Sequence, residues 1–279
     1  MEQTRKKELK RMANDIRLGI IEGVYNAACG HPGGSLSIAD VLTYLYFEEM
    51  NVDPANPEMP DRDRFVLSKG HTAPALYSTL AHRGFFPVEE LKTLRKTDSR
   101  LQGHPDMKGV PGVDMSTGSL GLGFSAACGM ALAAKVAKDN YRVYSVVGDG
   151  ESEEGQVWEA AMFAAHYNLD NLVLIIDFNG LQIDGPIKEV MNPTPHDEKL
   201  RAFGWNVVCI DAHDFDDIES AFAEAKKCKG KPTAIIAKSV KGKGVSYMEN
   251  SCEWHGQAPK EDLYRVALDD LHKIGEELK

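Results

Sequence analysis

The chain has 279 residues, of which 43% are hydrophobic and 27% are charged, and its formal net charge is −10. This composition excludes a disordered or collagen-like chain, and the negative charge provides no broad attraction to nucleic acid. The five cysteines are scattered and form no C-x-x-C pair, which argues against a disulfide framework or zinc site and favours a reducing compartment. No apolar run is long enough to span a bilayer. We therefore expect a cytoplasmic enzyme.

The first half of the sequence alternates predicted helices with glycine-rich loops. Apolar residues at helical spacing indicate an amphipathic helix over residues 7–29, which the segment 30–34 ends. Ser37 is predicted to cap a second helix. The remaining predictions for this half are a strand at 64–67, a helix from about Pro74, loops over 97–122 and a helix over 123–138.

The clearest segment is a strand–helix–strand unit in the middle of the chain. A strand at 142–147 ends at Gly148-Asp149-Gly150, a helix follows at 155–167, and an apolar strand covers 171–178. The two strands should be parallel and joined by a right-handed crossover. The later predictions are strands at 205–210 and 233–238 and helices at 215–228 and 260–279. This alternation predicts an α/β fold with a mostly parallel sheet and helices on both faces.

Asp149 and Asn179 each follow the end of a strand in this central unit. In open α/β sheets, ligands bind outside those strand ends. A carboxylate and an amide carbonyl are hard oxygen ligands suited to Mg²⁺ or Ca²⁺, and Mg²⁺ commonly fills its other positions with phosphate oxygens and water. Gly150 allows the backbone to approach a phosphate closely. A helix cap at Asp149 and a turn residue at Asn179 are the simpler alternatives.

Two charged segments have plainer interpretations. The acids Glu151, Glu153 and Glu154 are typical of a solvated first helical turn. The segment 238–244 lacks the G-x-x-x-x-G-K-[ST] pattern of a Walker motif, although it follows a strand and its lysines can meet a phosphate. A solvated basic turn explains Lys241 equally well.

Four of the nine histidines have a glycine neighbour: His31, His71, His104 and His255. Glycine beside histidine lets a loop bring the imidazole close to a ligand. Imidazole can donate to phosphate or hydroxyl oxygens and can transfer protons near neutral pH. One such residue is more typical of a surface turn, but four in one chain indicate a site.

The segments around these histidines resemble the transketolase family, over about residues 10–262. The matching segments are Gly30–Gly34, Ser68–His71, Gly103–Pro105, Thr117–Gly121 and Trp254–Gly256. The Gly148-Asp149-Gly150 triplet and Asn179, with 28 residues between Gly150 and Asn179, also resemble the thiamine-diphosphate motif of that family. One departure is Gly34, where some relatives place a hydroxyl residue.

The resemblance implies a single thiamine-diphosphate-binding (PP) domain over residues 1–279, with a C-terminal helix. The implied ligands of Mg²⁺, for which Ca²⁺ or Mn²⁺ can substitute, are Asp149, Asn179 and the backbone oxygen of Leu181. The implied contacts of the cofactor are His71, Gly118, Leu120, Gly150, Lys238 and His255. The residues implied to act on the sugar substrate or between active sites are His31, His104, His255 and Glu154, the last at a subunit interface.

In this family, the glutamate that activates the cofactor belongs to a pyrimidine-binding domain, which this sequence lacks. We therefore expect the N-terminal subunit of a split transketolase of the pentose phosphate pathway, acting on sugar phosphates. Its partner would be a C-terminal subunit carrying the pyrimidine domain, in a heterotetramer with two copies of each chain. The alternatives are a truncated chain, a subunit that uses a branched or sulfonated donor, a relative that makes deoxyxylulose phosphate, and a non-catalytic module that binds the cofactor.

Overall fold

A computed structural model describes residues 1–279 and contains one five-stranded sheet and one two-stranded hairpin. The strands in chain order are β1 (Arg64–Leu67), β2 (Val143–Gly148), β3 (Leu172–Phe178), β4 (Leu181–Gln182), β5 (Gly185–Pro186), β6 (Asn206–Asp211) and β7 (Thr233–Lys238). The large sheet has the order β1-β2-β3-β7-β6, and every neighbouring pair is parallel. Strands β4 and β5 pair antiparallel beside it.

Ten α-helices surround the sheet. They are α1 (Gln3–Ala27), α2 (Pro32–Ser37), α3 (Ala39–Tyr44), α4 (Ala73–Arg83), α5 (Leu122–Ala137), α6 (Gly155–His166), α7 (Ile187–Val190), α8 (His196–Ala202), α9 (Phe215–Lys227) and α10 (Glu261–Glu277). No helix combines the length and apolar character needed to cross a bilayer.

Side chains on the central strands alternate between two hydrophobic cores, because successive residues of a strand point to opposite faces. On β3, Val173 and Ile175 belong to the larger core, which also contains residues of α1, α3, α4 and α9. Leu172, Leu174 and Ile176 belong to the smaller core, with residues of α5 and α6. Both faces of the sheet are therefore covered by helices, which confirms the predicted fold class.

The region around Ser37 differs from its prediction. Ser37 does not cap a helix but is the last residue of α2, and its hydroxyl donates to Asp177 Oδ2 at 2.6 Å. The segment after α1 was expected to form a loop, yet residues 32–37 are helical because Pro32 occupies the first helical position, where its missing N–H costs nothing. This short helix brings the loop at residues 30–31 over the sheet.

The strand order reverses direction between β3 and β7. After β3 the chain crosses to β6 at the edge and then returns to form β7 between them. Ligands of open α/β sheets bind beside such a reversal, outside the carboxyl ends of the strands. The loops after β1, β2, β3 and β7 all leave the sheet at this end.

Candidate functional site

Three of the four glycine-flanked histidines meet above the carboxyl ends of the strands. The ring centroids of His31 and His71 are 5.1 Å apart, those of His71 and His255 are 5.1 Å apart, and those of His31 and His255 are 5.6 Å apart. His31 precedes α2, His71 follows β1 in a single turn of 3-10 helix, and His255 ends another such turn late in the chain. Segments distant in sequence thus build one imidazole cluster.

The cluster is neutral at pH 7. Burial, reinforced by the nearby charge of Arg95, lowers the pKa of His31 to about 4. Burial and the Lys241 charge lower the pKa of His255 to about 3, and burial holds the pKa of His71 well below its usual range. Nδ1 of His31 is buried and has no hydrogen-bond partner. A neutral imidazole can both donate and accept a hydrogen bond, so the cluster suits a polar ligand.

The fourth histidine, His104, is exposed and lies next to Gly118. A β-carbon on Gly118 would lie 3.1 Å from His104 Cδ2, and a β-carbon on Gly70 would lie 2.8 Å from Gly118 N. The Tyr77 hydroxyl donates to the backbone oxygen of His104 at 2.8 Å and fixes that loop. Residue 118 also has a φ of 151°, which favours glycine. Leu120 is partly buried in the turn that leads into α5.

Asp149 and Asn179 lie side by side, as their positions after β2 and β3 predict. Asp149 is 2% exposed. Its Oδ1 accepts from Gly150 N at 2.9 Å and its Oδ2 accepts from Gly180 N at 2.5 Å. The Asn179 Oδ1 accepts from Leu181 N at 3.1 Å. The loop 179–181 therefore carries two of the three predicted metal ligands and is hydrogen-bonded to the third, Asp149.

Asp177, the second-last residue of β3, was not predicted as part of the site. It is fully buried, and Lys69 Nζ donates to its Oδ2 at 2.5 Å. Ser37, Asn179 and Ser239 also donate to this carboxylate. Burial opposes ionisation, but Lys69 and these donors hold the pKa of Asp177 below its usual value. A charged residue inside an apolar strand was the available signal, since such residues are buried only when paired.

The turn at residues 239–244, which we call the lysine turn, brings Lys241 rather than Lys238 to the cluster. Lys241 is 2% exposed, and its Nζ lies 3.0 Å from His255 Nδ1 and donates to Leu181 O at 3.2 Å. Burial and the charge of Lys69 lower the pKa of Lys241 to about 8. Of the two interpretations that the sequence left open for Lys241, the burial of its side chain excludes the solvated basic turn.

Lys238, by contrast, points away from the three histidines. It continues the face of β7 that carries Ile236, and both residues line a cavity of about 850 Å³ whose lining includes none of those histidines. Its side chain is exposed. The strand pleat therefore separates Lys238 from the site, and its predicted cofactor contact does not fit this geometry.

The acidic run after Gly150 divides into buried and exposed members. Glu154 is exposed, immediately before α6, and its role at a subunit interface stays a prediction. Glu151 is 3% exposed, and its carboxylate accepts from Ser68 Oγ at 2.5 Å and from Gly121 N at 2.9 Å. The prediction of a solvated turn was therefore wrong for Glu151, which ties three loops of the site together.

Gly34, where some relatives place a hydroxyl residue, lies beside the histidine cluster. A β-carbon there would lie 3.0 Å from Thr72 Cγ2 and 3.9 Å from His71 Nε2. The neighbouring Ser35 hydroxyl is fully buried and donates to His31 O at 2.6 Å. Ser35 is thus engaged in holding the His31 loop and does not replace a hydroxyl at residue 34.

The residues present fit a diphosphate with a divalent cation. Burial, followed by the charge of Asp177, raises the pKa of Asp149 to about 7, and a cation would relieve both effects. No group of three or more His, Cys, Asp or Glu side chains is placed to hold a metal alone. A cation here would therefore rely on Asp149, the carbonyl oxygens of Asn179 and Leu181, and ligand oxygens, as Mg²⁺ commonly does. Lys241 and the histidine cluster would supply donors for the remaining phosphate oxygens.

Comparisons with known proteins show the family of this chain. A family model described as transketolase, thiamine diphosphate binding domain, matches residues 8–270. The chain is 48% identical over 268 residues to the 6-deoxy-6-sulfo-D-fructose transketolase subunit SqwG of Clostridium sp. (strain MSTE9), covering 96% of this chain and 98% of that protein. It is 44% identical over 272 residues to an apulose-4-phosphate transketolase subunit of Phocaeicola vulgatus, covering 98% of this chain and 96% of that protein.

Complete transketolases are matched over less than half of their length. The rat enzyme is 41% identical over 272 residues, which cover 97% of this chain and 43% of that protein. The crystal structure of Campylobacter jejuni transketolase superposes with a TM-score of 0.90 at 32% identity, covering 100% of this chain and 46% of that one. The two relatives named as subunits, however, are covered almost from end to end.

Proposed function

The chain belongs to the transketolase family through its thiamine-diphosphate-binding domain, and from this premise we propose that it is the diphosphate-binding subunit of a two-subunit transketolase. In this proposal, residues 1–279 form one PP domain that binds thiamine diphosphate with Mg²⁺. The assembled enzyme transfers a two-carbon ketol unit from a ketose phosphate to an aldose phosphate. A partner subunit provides the pyrimidine domain, in a complex with two copies of each chain.

The observation that carries this proposal is the meeting of the neutral histidine cluster with the buried Asp149 loop at one edge of the sheet. The three imidazoles lie within 5.6 Å of one another by ring centroid. Lys241 links the two parts, since its ammonium reaches both His255 and the backbone oxygen of Leu181. In our proposal, this site therefore combines a surface that would bind phosphate with neutral imidazoles that would hydrogen-bond to the sugar.

The residues of this chain would hold and orient the reactants. Asp149, Asn179 and the Leu181 oxygen would hold the cation that binds the diphosphate, and Lys241 would balance its negative charge. Thiamine diphosphate, when bound, supplies the nucleophilic carbon and the electron sink for cleaving a carbon–carbon bond beside a carbonyl. Neutral His31 and His255 can accept hydrogen bonds from sugar hydroxyls at pH 7 and so orient the sugar.

The two-subunit arrangement is supported by the relatives named as subunits. Both are covered over at least 96% of their length, whereas the rat transketolase is covered over 43%. Proteins of that extent correspond to less than half of a complete transketolase. We therefore propose that this chain, like them, is one subunit of its enzyme and does not catalyse ketol transfer alone.

A second candidate concerns the donor rather than the reaction type. The relative with 48% identity is named for 6-deoxy-6-sulfo-D-fructose and the one with 44% identity for apulose 4-phosphate. The rat transketolase is 41% identical. A sulfonated or branched sugar is therefore the alternative to an ordinary ketose phosphate, and it would place the enzyme outside the pentose phosphate pathway.

Ketol transfer by the purified chain, with and without the partner subunit, tests the proposal. We expect no transfer by the chain alone and transfer by the pair, with thiamine diphosphate and Mg²⁺, when the aldose product is measured by mass spectrometry. Parallel assays with a ketose phosphate, sulfofructose and apulose phosphate decide the donor class. Full activity of the chain alone would contradict the two-subunit proposal, and cofactor binding by the pair without transfer from any donor would support a non-catalytic module.

A further inference from the structure

A hydrogen-bonded chain of three side chains, Arg17, Asp40 and His213, contacts the backbone of the lysine turn. Arg17 on α1 donates to Asp40 on α3, with Nη2 at 2.5 Å from Oδ2 and Nη1 at 3.2 Å from Oδ1. Nδ1 of His213, in the loop after β6, lies 2.7 Å from Asp40 Oδ2. The backbone N–H of Val240 donates to Nε2 of the same imidazole at 3.0 Å. Val240 immediately precedes Lys241.

The hydrogen-bond partners define which nitrogen of the His213 ring donates and which accepts. Because Val240 N–H is a donor, Nε2 must carry a free lone pair, and Nδ1 must carry the proton that is donated to Asp40. Asp40 itself is ionised: burial opposes its charge, but Arg17 and His213 hold the pKa of this carboxyl at about 2. Arg17 and Asp40 are 8% exposed and His213 is 14% exposed. The three side chains are therefore largely shielded from water.

Other contacts hold the turn at its far side. The Gly242 N–H donates to Gly33 O at 2.9 Å, and the Asn250 N–H donates to Lys241 O at 2.9 Å. These bonds fix the backbone after Lys241, whereas the bond to His213 fixes the backbone before it. A flexible four-carbon side chain needs a fixed backbone to hold its ammonium in one place.

We propose that His213, oriented by Asp40 and Arg17, is a positioning residue that sets the backbone before Lys241 and so aims the Lys241 ammonium at the bound diphosphate. The inference rests on the proposed function, because it assumes that the cofactor occupies the site beside Lys241. His213 does not touch that site itself. It acts through one backbone hydrogen bond, and its contribution should vanish when Lys241 has no charge to aim.

The test uses two substitutions that differ by one methylene. His213→Gln keeps an acceptor at the reach of Nε2 and can still bind Val240 N–H, whereas His213→Asn reaches Asp40 but not Val240. We measure the affinity for thiamine diphosphate by tryptophan fluorescence. The chain is assembled with its partner subunit, and Mg²⁺ is present. We expect His213→Asn to weaken binding roughly tenfold, because the turn is released before Lys241 and the charge-assisted contact of its ammonium with the diphosphate is weakened. We expect His213→Gln to remain within about threefold of the parent.

A double-mutant cycle separates positioning from general damage. In a Lys241→Met background, His213→Asn should lower affinity by less than about twofold. Equal losses in both backgrounds, or equal losses for Gln and Asn, would overturn the positioning role. Thermal melting checks that each variant is folded at the temperature of the titration, so the comparison of Gln with Asn, two side chains of similar polarity, reports binding and not unfolding.

Failure of the inference can be distinguished from failure of the proposed function. If Asp149→Ala and Lys241→Met weaken binding but His213→Asn does not, then only the role of His213 is wrong. If none of the three substitutions changes the affinity for thiamine diphosphate, then the assigned cofactor site is wrong, and the inference fails with it.

Discussion

The Asp149 loop and the lysine turn lie at the same edge of the sheet but are positioned in different ways. Asp149 and Asn179 immediately follow β2 and β3, so the strands themselves place them next to each other. Lys241 lies three residues beyond β7, and its position depends on contacts from α2, the loop after β6 and the segment near Asn250. Features fixed by strand ends follow from local sequence, whereas those fixed by packing between distant segments do not.

The strongest test of the Asp149 loop is Asp149→Ala. We expect the substitution to weaken Mg²⁺-dependent thiamine-diphosphate binding by roughly a hundredfold or more, since it removes the only carboxylate among the proposed cation ligands. Calorimetric titration of the assembled enzyme, with and without Mg²⁺, measures the change.

Asp184→Ala is the matched control for this substitution. Asp184 is an exposed acid on the neighbouring hairpin loop, between β4 and β5. Its removal tests whether general negative charge near the site matters, and we expect an effect below about twofold because exposed charges are screened. Equal effects of the two substitutions would remove Asp149 from the cation site.

The lysine turn is tested by comparing Lys241→Met with Lys238→Met. Both changes remove one ammonium group while keeping an unbranched apolar side chain. Lys241→Met should weaken cofactor binding roughly tenfold to thirtyfold, because a charge-assisted contact in a buried site is lost. Lys238→Met should change the affinity by less than about twofold, since exposed charges are largely screened by solvent. The reverse order would restore the cofactor contact that the resemblance implies for Lys238.

Two buried acids explain why much of the fold, but only part of the site, could be predicted. The strand around Asp177 was predicted from its apolar residues, yet nothing local indicates that Lys69 and Ser37 converge on its carboxylate. Glu151 was expected to be solvated because it begins a helical turn, but Ser68 and the N–H of Gly121 surround it. Periodicity describes the face of an element, whereas the partners of a buried charge depend on how distant loops meet.

The smallest expected effect is a pH dependence of stability from the histidines that lie between the two loops. Their pKa values are lower in the folded chain, about 4 for His31 and about 3 for His255, than the ordinary value of 6.5. Between these values the unfolded chain binds more protons than the folded one, so stability falls as pH falls. Their contribution is complete above pH 6.5 and is lost progressively as pH decreases towards 4.

Protonation of Asp149 changes the stability of the folded chain in the opposite direction. The histidine contribution is therefore measured as the difference between the parent and a histidine variant. The pKa of Asp149 is raised from 3.8 to about 7, and the folded chain therefore gains protons first and is stabilised as pH falls through that range. We expect His255→Asn to make the decline in melting temperature between pH 6.5 and pH 4 shallower than in the parent, by a few degrees at about pH 4. The comparison requires the cofactor-free chain, because a bound diphosphate would change every pKa in the cluster. Parallel melting curves for the parent and the variant would show that the His255 imidazole is as accessible to protons in the folded chain as in the unfolded one.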